Sequence, residues 1–189
     1  MKRVLLVASA ALFASISFSR ATPQEAPPAL SDYGVSEKYP HGRAHPKAPK
    51  ELAQFHFMVG DFERKERARR PDGSWGPWMV GEWNAHYFMN GHAIIDESFN
   101  HESQKTTTNL RFYDPREKKW KISWFTEPGY GTAYAEGQVV GDELVCTNPT
   151  SGARYVFYDI TEDSYEWELR QLRGKDWIGV WQISMQRKQ

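Results

Sequence analysis

The stretch from residue 111 to residue 126 constrains the fold most, because it predicts two β-strands joined by a tight turn. Asp114-Pro115 is typical of the start of a type I turn: proline presets φ at the second turn position, and aspartate accepts hydrogen bonds from the backbone just downstream. After the turn, Trp120, Ile122 and Trp124 alternate with polar residues. This period of two places the large apolar groups on one face of a strand.

Similar alternating segments follow one another from residue 60 to residue 186. Asn90-Gly91 is the strongest hairpin signal among the turns between them, because both central positions of such a turn need positive φ. A short helix over residues 50–58 precedes the strands, with Pro49 suited to its start and an apolar side to plug a barrel end. We predict ten strands, over residues 60–69, 80–89, 92–100, 104–113, 119–126, 132–140, 143–148, 154–160, 165–172 and 177–186.

Antiparallel strands on short loops form a meander, which leaves two edges unless it closes into an up-and-down barrel. The predicted fold class is therefore all-β: an antiparallel up-and-down barrel of about ten strands with a short N-terminal helix. A two-sheet sandwich is the alternative, although sandwiches usually show longer crossover loops. The domain is expected to span residues 50–189.

The first 21 residues predict a secretory signal peptide. Lys2 and Arg3 precede an apolar run over residues 4–18, and small residues at 19 and 21 predict cleavage after Ala21. The run is short of the roughly twenty residues that cross a bilayer, although an uncleaved membrane anchor is the alternative. We therefore expect a periplasmic or secreted protein with no stable membrane anchor after cleavage.

Residues 22–49 contain six prolines and no sustained apolar period. This composition predicts a poorly ordered, extended linker that drapes over the domain. Loss of Lys2, Arg3 and Arg20 with the signal peptide leaves 21 of the 24 bases against 24 acids, a formal net charge of about −3. Such a charge gives no general attraction for nucleic acid. The basic cluster at residues 64–70 predicts a solvated strand face, with a phosphate-binding patch as the alternative.

Cys146 is the only cysteine, so no intramolecular disulfide can form. It shares a predicted strand face with Leu144, which predicts a small buried thiol. A bridge between two copies of the chain is the alternative.

Several short motifs carry a family resemblance. A short helix leads into Gly60-Asp61-Phe62, a Gly-aliphatic-acid segment spans residues 91–97, Tyr113-Asp114-Pro115 precedes Lys118-Lys119-Trp120, and a late strand contains Arg154. Over residues 50–188 the chain resembles the DUF1579-like bacterial proteins of unknown function, which are similar to the calycin barrels (lipocalins, fatty-acid-binding proteins and nitrobindins). The resemblance implies a calycin-like barrel.

Two expectations follow from this resemblance. In lipocalins a Gly-x-Trp motif closes one barrel end beneath a basic residue of the last strand; here Phe62 stands for the tryptophan, and Arg187 or Lys188 for its partner. Nitrobindins hold haem through a histidine late in the barrel. No histidine follows His101 in this chain, so haem is not expected.

Asp96 and Glu97 occupy opposite faces of one strand, so one of them points inward and needs a partner such as Arg111 or Arg154. The first functional hypothesis is an interior pocket for a small, mostly apolar ligand, with Glu97 and Arg111 as polar anchors. Aromatic residues would line or cap it: Trp83, Trp124, Tyr155, Trp167 and Trp181.

Two other classes of function remain open. An enzyme could use an acid with a histidine, such as Glu97 with His86, if both face one cavity. A filled barrel could instead bind a partner through the Trp75/Trp78 loop or the proline-rich arm. No known catalytic or phosphate-binding motif supports the enzyme, and His86 with His92 near Asp96 or Glu97 is a weak metal-ligand pattern.

Overall fold

The computed structural model describes residues 32–189, so the predicted signal peptide lies outside the described residues. Ten strands follow a 3₁₀-helix over Lys50–Met58. The strands are β1 (Gly60–Ala68), β2 (Met79–Phe88), β3 (Ala93–Asn100), β4 (Thr106–Asp114), β5 (Lys119–Glu127), β6 (Gly131–Val140), β7 (Glu143–Thr147), β8 (Arg154–Tyr158), β9 (Ser164–Arg173) and β10 (Asp176–Arg187).

The strands form one closed antiparallel barrel. Each strand pairs with its neighbours in sequence, and β1 pairs with β10 to close the sheet. This topology confirms the predicted ten-stranded up-and-down barrel and rules out the sandwich. The strand bounds agree with the predicted ones to within two residues, because the turn residues that separate the strands are unambiguous.

The turns have the geometry that their residues predict. Asp114 Oδ1 accepts a hydrogen bond from the Arg116 backbone N–H at 2.9 Å. Asn90 and Gly91 have φ values of 55° and 76°, as predicted, but Met89 is also left-handed at 50° and the connection has four residues, since Phe88 and Ala93 form the last strand pair. Both hairpins therefore set the register of the strands they join.

The 3₁₀-helix closes one end of the barrel, as its apolar side predicts. Leu52, Phe55 and Met58 are buried beneath the strands. The Phe55 ring meets the Trp120 ring edge-on at 4.6 Å between centroids, and the Trp120 indole N–H donates to Gln54 Oε1 at 2.9 Å. The apolar core is concentrated at this closed end.

The second half of the proline-rich segment packs against the barrel. The His45 backbone N–H donates to the Gly91 carbonyl oxygen at 3.0 Å, and the Tyr87 N–H donates to the His41 carbonyl oxygen at 2.9 Å. The Arg43 guanidinium lies over the rings of Tyr33 and Tyr39 at 4.6 and 4.5 Å. Aromatic and backbone contacts thus hold residues 32–49, which we call the arm, against the barrel, and the poor order of the whole linker over residues 22–49 stays a prediction. Within residues 32–189 no helix is long and apolar enough to cross a membrane.

Candidate functional site in the barrel interior

The barrel encloses a cavity of about 510 Å³ above the 3₁₀-helix. The exposed residues Ser103 and Lys105 line its other end, so the cavity opens beside the loop between β3 and β4. Its size falls within the range of small-molecule sites in proteins. We call the end next to the helix the base of the cavity.

Most of the predicted pocket residues line this cavity. Their side chains project inward because they share the inward phase of their strands. The six that line it are Trp83, Arg111, Trp124, Tyr155, Trp167 and Trp181. Their role in binding stays a prediction.

Glu97, the seventh predicted residue, lies on the outer face of β3 and is exposed. Asp96 is the inward acid, and it is 1% exposed. The prediction that Glu97 is a polar group of the interior is therefore wrong, and Asp96 takes that position. The error is one residue of strand phase, which moves every side chain to the other face.

Asp96 pairs with Arg111 across β3 and β4. An Arg111 terminal nitrogen contacts Asp96 Oδ2, and Asn109 Nδ2 donates to Asp96 Oδ1 at 2.9 Å. Burial lowers the pKa of Arg111 to about 10, so the guanidinium stays charged at neutral pH. The partner that sequence reasoning required for an inward acid is thus present, although for Asp96 rather than Glu97.

A second ion pair, between Arg64 and Glu66 on β1, was not expected. Arg64 Nη2 lies 2.5 Å from Glu66 Oε2, and Arg64 Nη1 donates to Ser98 Oγ at 3.1 Å. Asn100 Nδ2 donates to the other Glu66 oxygen. The predicted solvated face is therefore wrong for Arg64 and Glu66, which are buried and line the cavity. The signal was available in the phase of Phe62, since residues 62, 64 and 66 share one face.

Four buried donor nitrogens on cavity-lining residues have no hydrogen-bond partner within residues 32–189. They are Arg64 Nε, Trp83 Nε1, Arg111 Nε and Trp181 Nε1. Buried polar groups in proteins are nearly always satisfied, so these donors mark where a bound group would be held.

Cys146 lies in the cavity wall and is buried, as its strand phase predicts. Burial raises the pKa of its thiol to about 12. The thiolate is the nucleophilic form of cysteine, so this residue is a wall contact rather than a nucleophile at neutral pH.

The two residues of the hypothetical acid–histidine pair, His86 and Glu97, do not face the cavity. His86 and Glu97 both project from the outer face of the barrel, where the His86 ring lies 3.3 Å from Asn84 Oδ1. The condition that both side chains face one cavity is not met. Within residues 32–189 no group of three or more His, Cys, Asp or Glu side chains is placed to hold a metal ion.

Trp75 and Trp78 pack on arginines of the outer barrel face. The Arg67 guanidinium lies 4.9 Å from the Trp75 ring and 4.3 Å from the Trp78 ring, and Arg69 lies 4.5 Å from Trp75. The stack accounts for the position of this loop, and neither tryptophan lines the cavity.

No protein-family model matches the chain, and no curated protein matches it. Several solved structures are similar to this chain. Rv2717c from M. tuberculosis has 10% sequence identity and a TM-score of 0.51, over 75% of this chain and 99% of that one. The S-type phycobiliprotein lyase CPES from Guillardia theta has 12% identity and a TM-score of 0.41, over 72% and 92% of the two chains. The likeness to Rv2717c shows a shared barrel fold.

Proposed function

We propose that the protein binds a small, mostly apolar molecule inside its barrel. The observation that carries this proposal is the cavity of about 510 Å³, walled by aromatic side chains and provided with polar groups at its base. Ligand sites typically combine a predominantly apolar wall with a few polar groups that orient the ligand.

Packing argues in the same direction. Protein interiors normally reach the density of organic crystals, and an unfilled space of this size costs stability. Large rings from several strands line this space, whereas Leu52, Phe55 and Met58 of the helix belong to the apolar core. The cavity therefore favours ligand binding over the filled-barrel interaction module.

The location and family of the protein also belong to the proposal. A signal peptide cleaved after Ala21 would deliver the barrel to the periplasm or the exterior of the cell, and the motifs quoted above support a DUF1579-like relationship. N-terminal sequencing of the exported protein tests the cleavage: a chain that begins at Thr22 supports it, and a chain that keeps Met1 contradicts it.

The decisive experiment is native mass spectrometry of the mature protein purified from its own host. We expect a discrete mass above that of the chain, which is lost on denaturation. Ala133→Trp should remove this mass by filling the cavity, since Ala133 lines it opposite Trp124. Thr132→Trp is the matched control, because Thr132 is exposed on the outer face of the same strand. A bare chain mass, or equal retention of the extra mass in both variants, would contradict interior binding.

A further inference from the structure

We propose that the ligand carries a carboxylate, held at the base of the cavity by Arg64, Trp83 and Arg111. This inference rests on the proposed function, and it names the chemical class of the molecule that enters the same site.

The unpartnered buried side-chain atoms of the cavity-lining residues at this end are all donors; the Tyr165 hydroxyl also has no partner within residues 32–189, but Tyr165 does not line the cavity. Arg64 Nε, Trp83 Nε1 and Arg111 Nε are buried and have no partner within residues 32–189. A guanidinium and an indole have no acceptor atom, so the ligand has to provide acceptors to satisfy them. Buried donors without a partner destabilise the protein, and a ligand that accepts hydrogen bonds from them removes this cost, which adds to its binding free energy.

Each carboxylate oxygen paired with the two arginines already accepts a hydrogen bond. One Glu66 oxygen accepts from Arg64 and the other from Asn100. One Asp96 oxygen accepts from Asn109 and the other from Arg111. A ligand group that donates hydrogen bonds, such as an ammonium, would therefore meet donors rather than free acceptors.

The three side chains that carry these donors are neighbours. The Arg111 guanidinium carbon lies 5.7 Å from the Trp83 ring centroid and 5.5 Å from the ring of Phe55 in the closing helix. Arg64 reaches Ser98, which is the cross-strand partner of Trp83. Trp181 lies apart from them: it pairs with Ala68, four residues along β1 from Arg64, which is about 13 Å in a strand.

Charge does not oppose an anion beside these donors. The two buried guanidiniums are balanced by Glu66 and Asp96, and the further charged residue that lines the cavity is the base Lys105, at its mouth. A carboxylate suits the three N–H groups better than a neutral acceptor does, because its two oxygens offer about four lone-pair sites and hydrogen bonds to a charged acceptor are stronger.

The remainder of the ligand is apolar, because Trp124, Tyr155, Phe157 and Trp167 form the wall above the base. An apolar body with a terminal carboxylate would place the anion at the base and its body toward the mouth. We expect that the Trp181 N–H does not bind the carboxylate.

The test compares decanoate, 1-decanol and decylamine, which share one alkyl chain. Calorimetric titration of the mature protein should show decanoate binding at least about tenfold more tightly than decanol, as expected for a charge-assisted hydrogen bond. Decylamine should bind more weakly than decanol.

Two variants locate the anion. Trp83→Phe removes one base donor and should reduce the preference for decanoate over decanol by about tenfold. Trp181→Phe removes an unpartnered indole N–H far from the base and should weaken both compounds equally. Arg64→Lys keeps the charge opposite Glu66 but removes Nε, so it provides a second measurement if Trp83→Phe does not fold.

Equal affinities for decanoate and decanol, or an unchanged preference in both Trp83→Phe and Arg64→Lys, would overturn the carboxylate assignment. Failure of all three decyl compounds to bind would overturn it as well. In each of these cases a molecule that co-purifies in the native mass spectrum would still uphold interior ligand binding, so the two proposals fail separately.

Discussion

The guanidinium carbon of Arg187 lies 4.5 Å from the centroid of the Phe62 ring, at the end of the barrel that the helix closes. Its two terminal nitrogens donate to the carbonyl oxygens of Val59 at 2.8 Å and Phe57 at 3.0 Å. Carbonyl groups at a helix C-terminus lack partners within the helix. Arg187 thus connects the last strand to the first strand and to the closing helix. It is the basic partner of Phe62 that the family resemblance implied.

Replacing Arg187 should destabilise the barrel. We expect Arg187→Met to lower the free energy of unfolding by about 2–3 kcal/mol, because hydrogen bonds from a charged donor are lost while the carbonyls stay covered. Urea unfolding measures the change. Lys188→Met is the control: Lys188 makes an exposed ion pair with Glu82 at 3.2 Å, and its loss should cost less than about 0.5 kcal/mol. Equal effects of the two substitutions would contradict a closing role for Arg187.

The phase of β3 can be tested with its two adjacent acids. Asp96→Asn should cost about 3–5 kcal/mol, because it leaves the Arg111 charge buried without its counter-ion. Glu97→Gln should change stability by no more than about 0.5 kcal/mol, since Glu97 is exposed. The measurement is again urea unfolding, at pH 7. A larger loss for Glu97→Gln than for Asp96→Asn would reverse the assignment of inner and outer faces.

The fold was predictable because its signals are local. Alternating aromatic strands such as 120–124, and turn residues such as Asn90-Gly91, depend only on neighbours in the sequence. The inward tryptophans were predictable for the same reason: Trp83 lies between Glu82 and Asn84, and Trp124 shares the phase of Trp120 and Ile122.

The polar half of the site was not predictable in this way. On β3 both faces carry one isoleucine and one acid, Ile94 with Asp96 and Ile95 with Glu97. Hydrophobic alternation therefore cannot choose between them, and the choice depends on pairing with Arg111 across the sheet. On β1 nearly every residue after Phe62 is charged, so inward ion pairs look like a solvated face. Contacts between distant strands decide these positions.

Cys146 should be protected from alkylation in the folded protein. Burial raises the pKa of its thiol to about 12, so only about one molecule in ten thousand carries the thiolate at pH 8. We expect iodoacetamide to react with Cys146 at least about a hundredfold more slowly in the native protein than in urea, where the thiol regains its ordinary pKa. Mass spectrometry of timed samples gives both rates. Equal rates with and without urea would show that the thiol is exposed.

The arm should dock less firmly as the pH falls, because its histidines resist protonation. The His45 ring stacks on the His92 ring at 4.6 Å and meets Tyr33 edge-on at 4.5 Å. The pKa of His45 is below its ordinary value of 6.5. The largest cause is desolvation, followed by electrostatic repulsion from His92 and from Lys47. The pKa of His86 on the barrel is also lowered, mainly by desolvation and secondly by electrostatic repulsion from His41 of the arm. A released arm therefore binds protons at a pH where the docked arm does not.

The sign follows from linkage. Well above pH 6.5 the two histidines are neutral in both states, so the free energy of docking does not depend on them. As the pH falls from about 6.5 toward the lower pKa values that the histidines have in the docked state, the docked arm becomes less stable relative to the released arm. His41 Nε2 of the arm also lies 3.5 Å from Asp61 Oδ2 on the barrel. Amide NMR signals of residue 45 and Tyr87 report docking, because these N–H groups donate across the contact, from His45 to Gly91 and from Tyr87 to His41.

We expect these amide signals to move toward unfolded values between pH 7.5 and pH 5.0. His45→Phe keeps a ring between Tyr33 and His92 but cannot be protonated, so its arm should remain docked over more of this range. His101→Phe is the control: His101 contacts Phe99 and Glu82 rather than the arm, and its loss should leave the pH response unchanged. A pH response of His45→Phe equal to that of the unaltered protein would contradict a role for the His45–His92 stack, and the docked arm would then owe its stability to the backbone bonds and the tyrosine–arginine contacts alone.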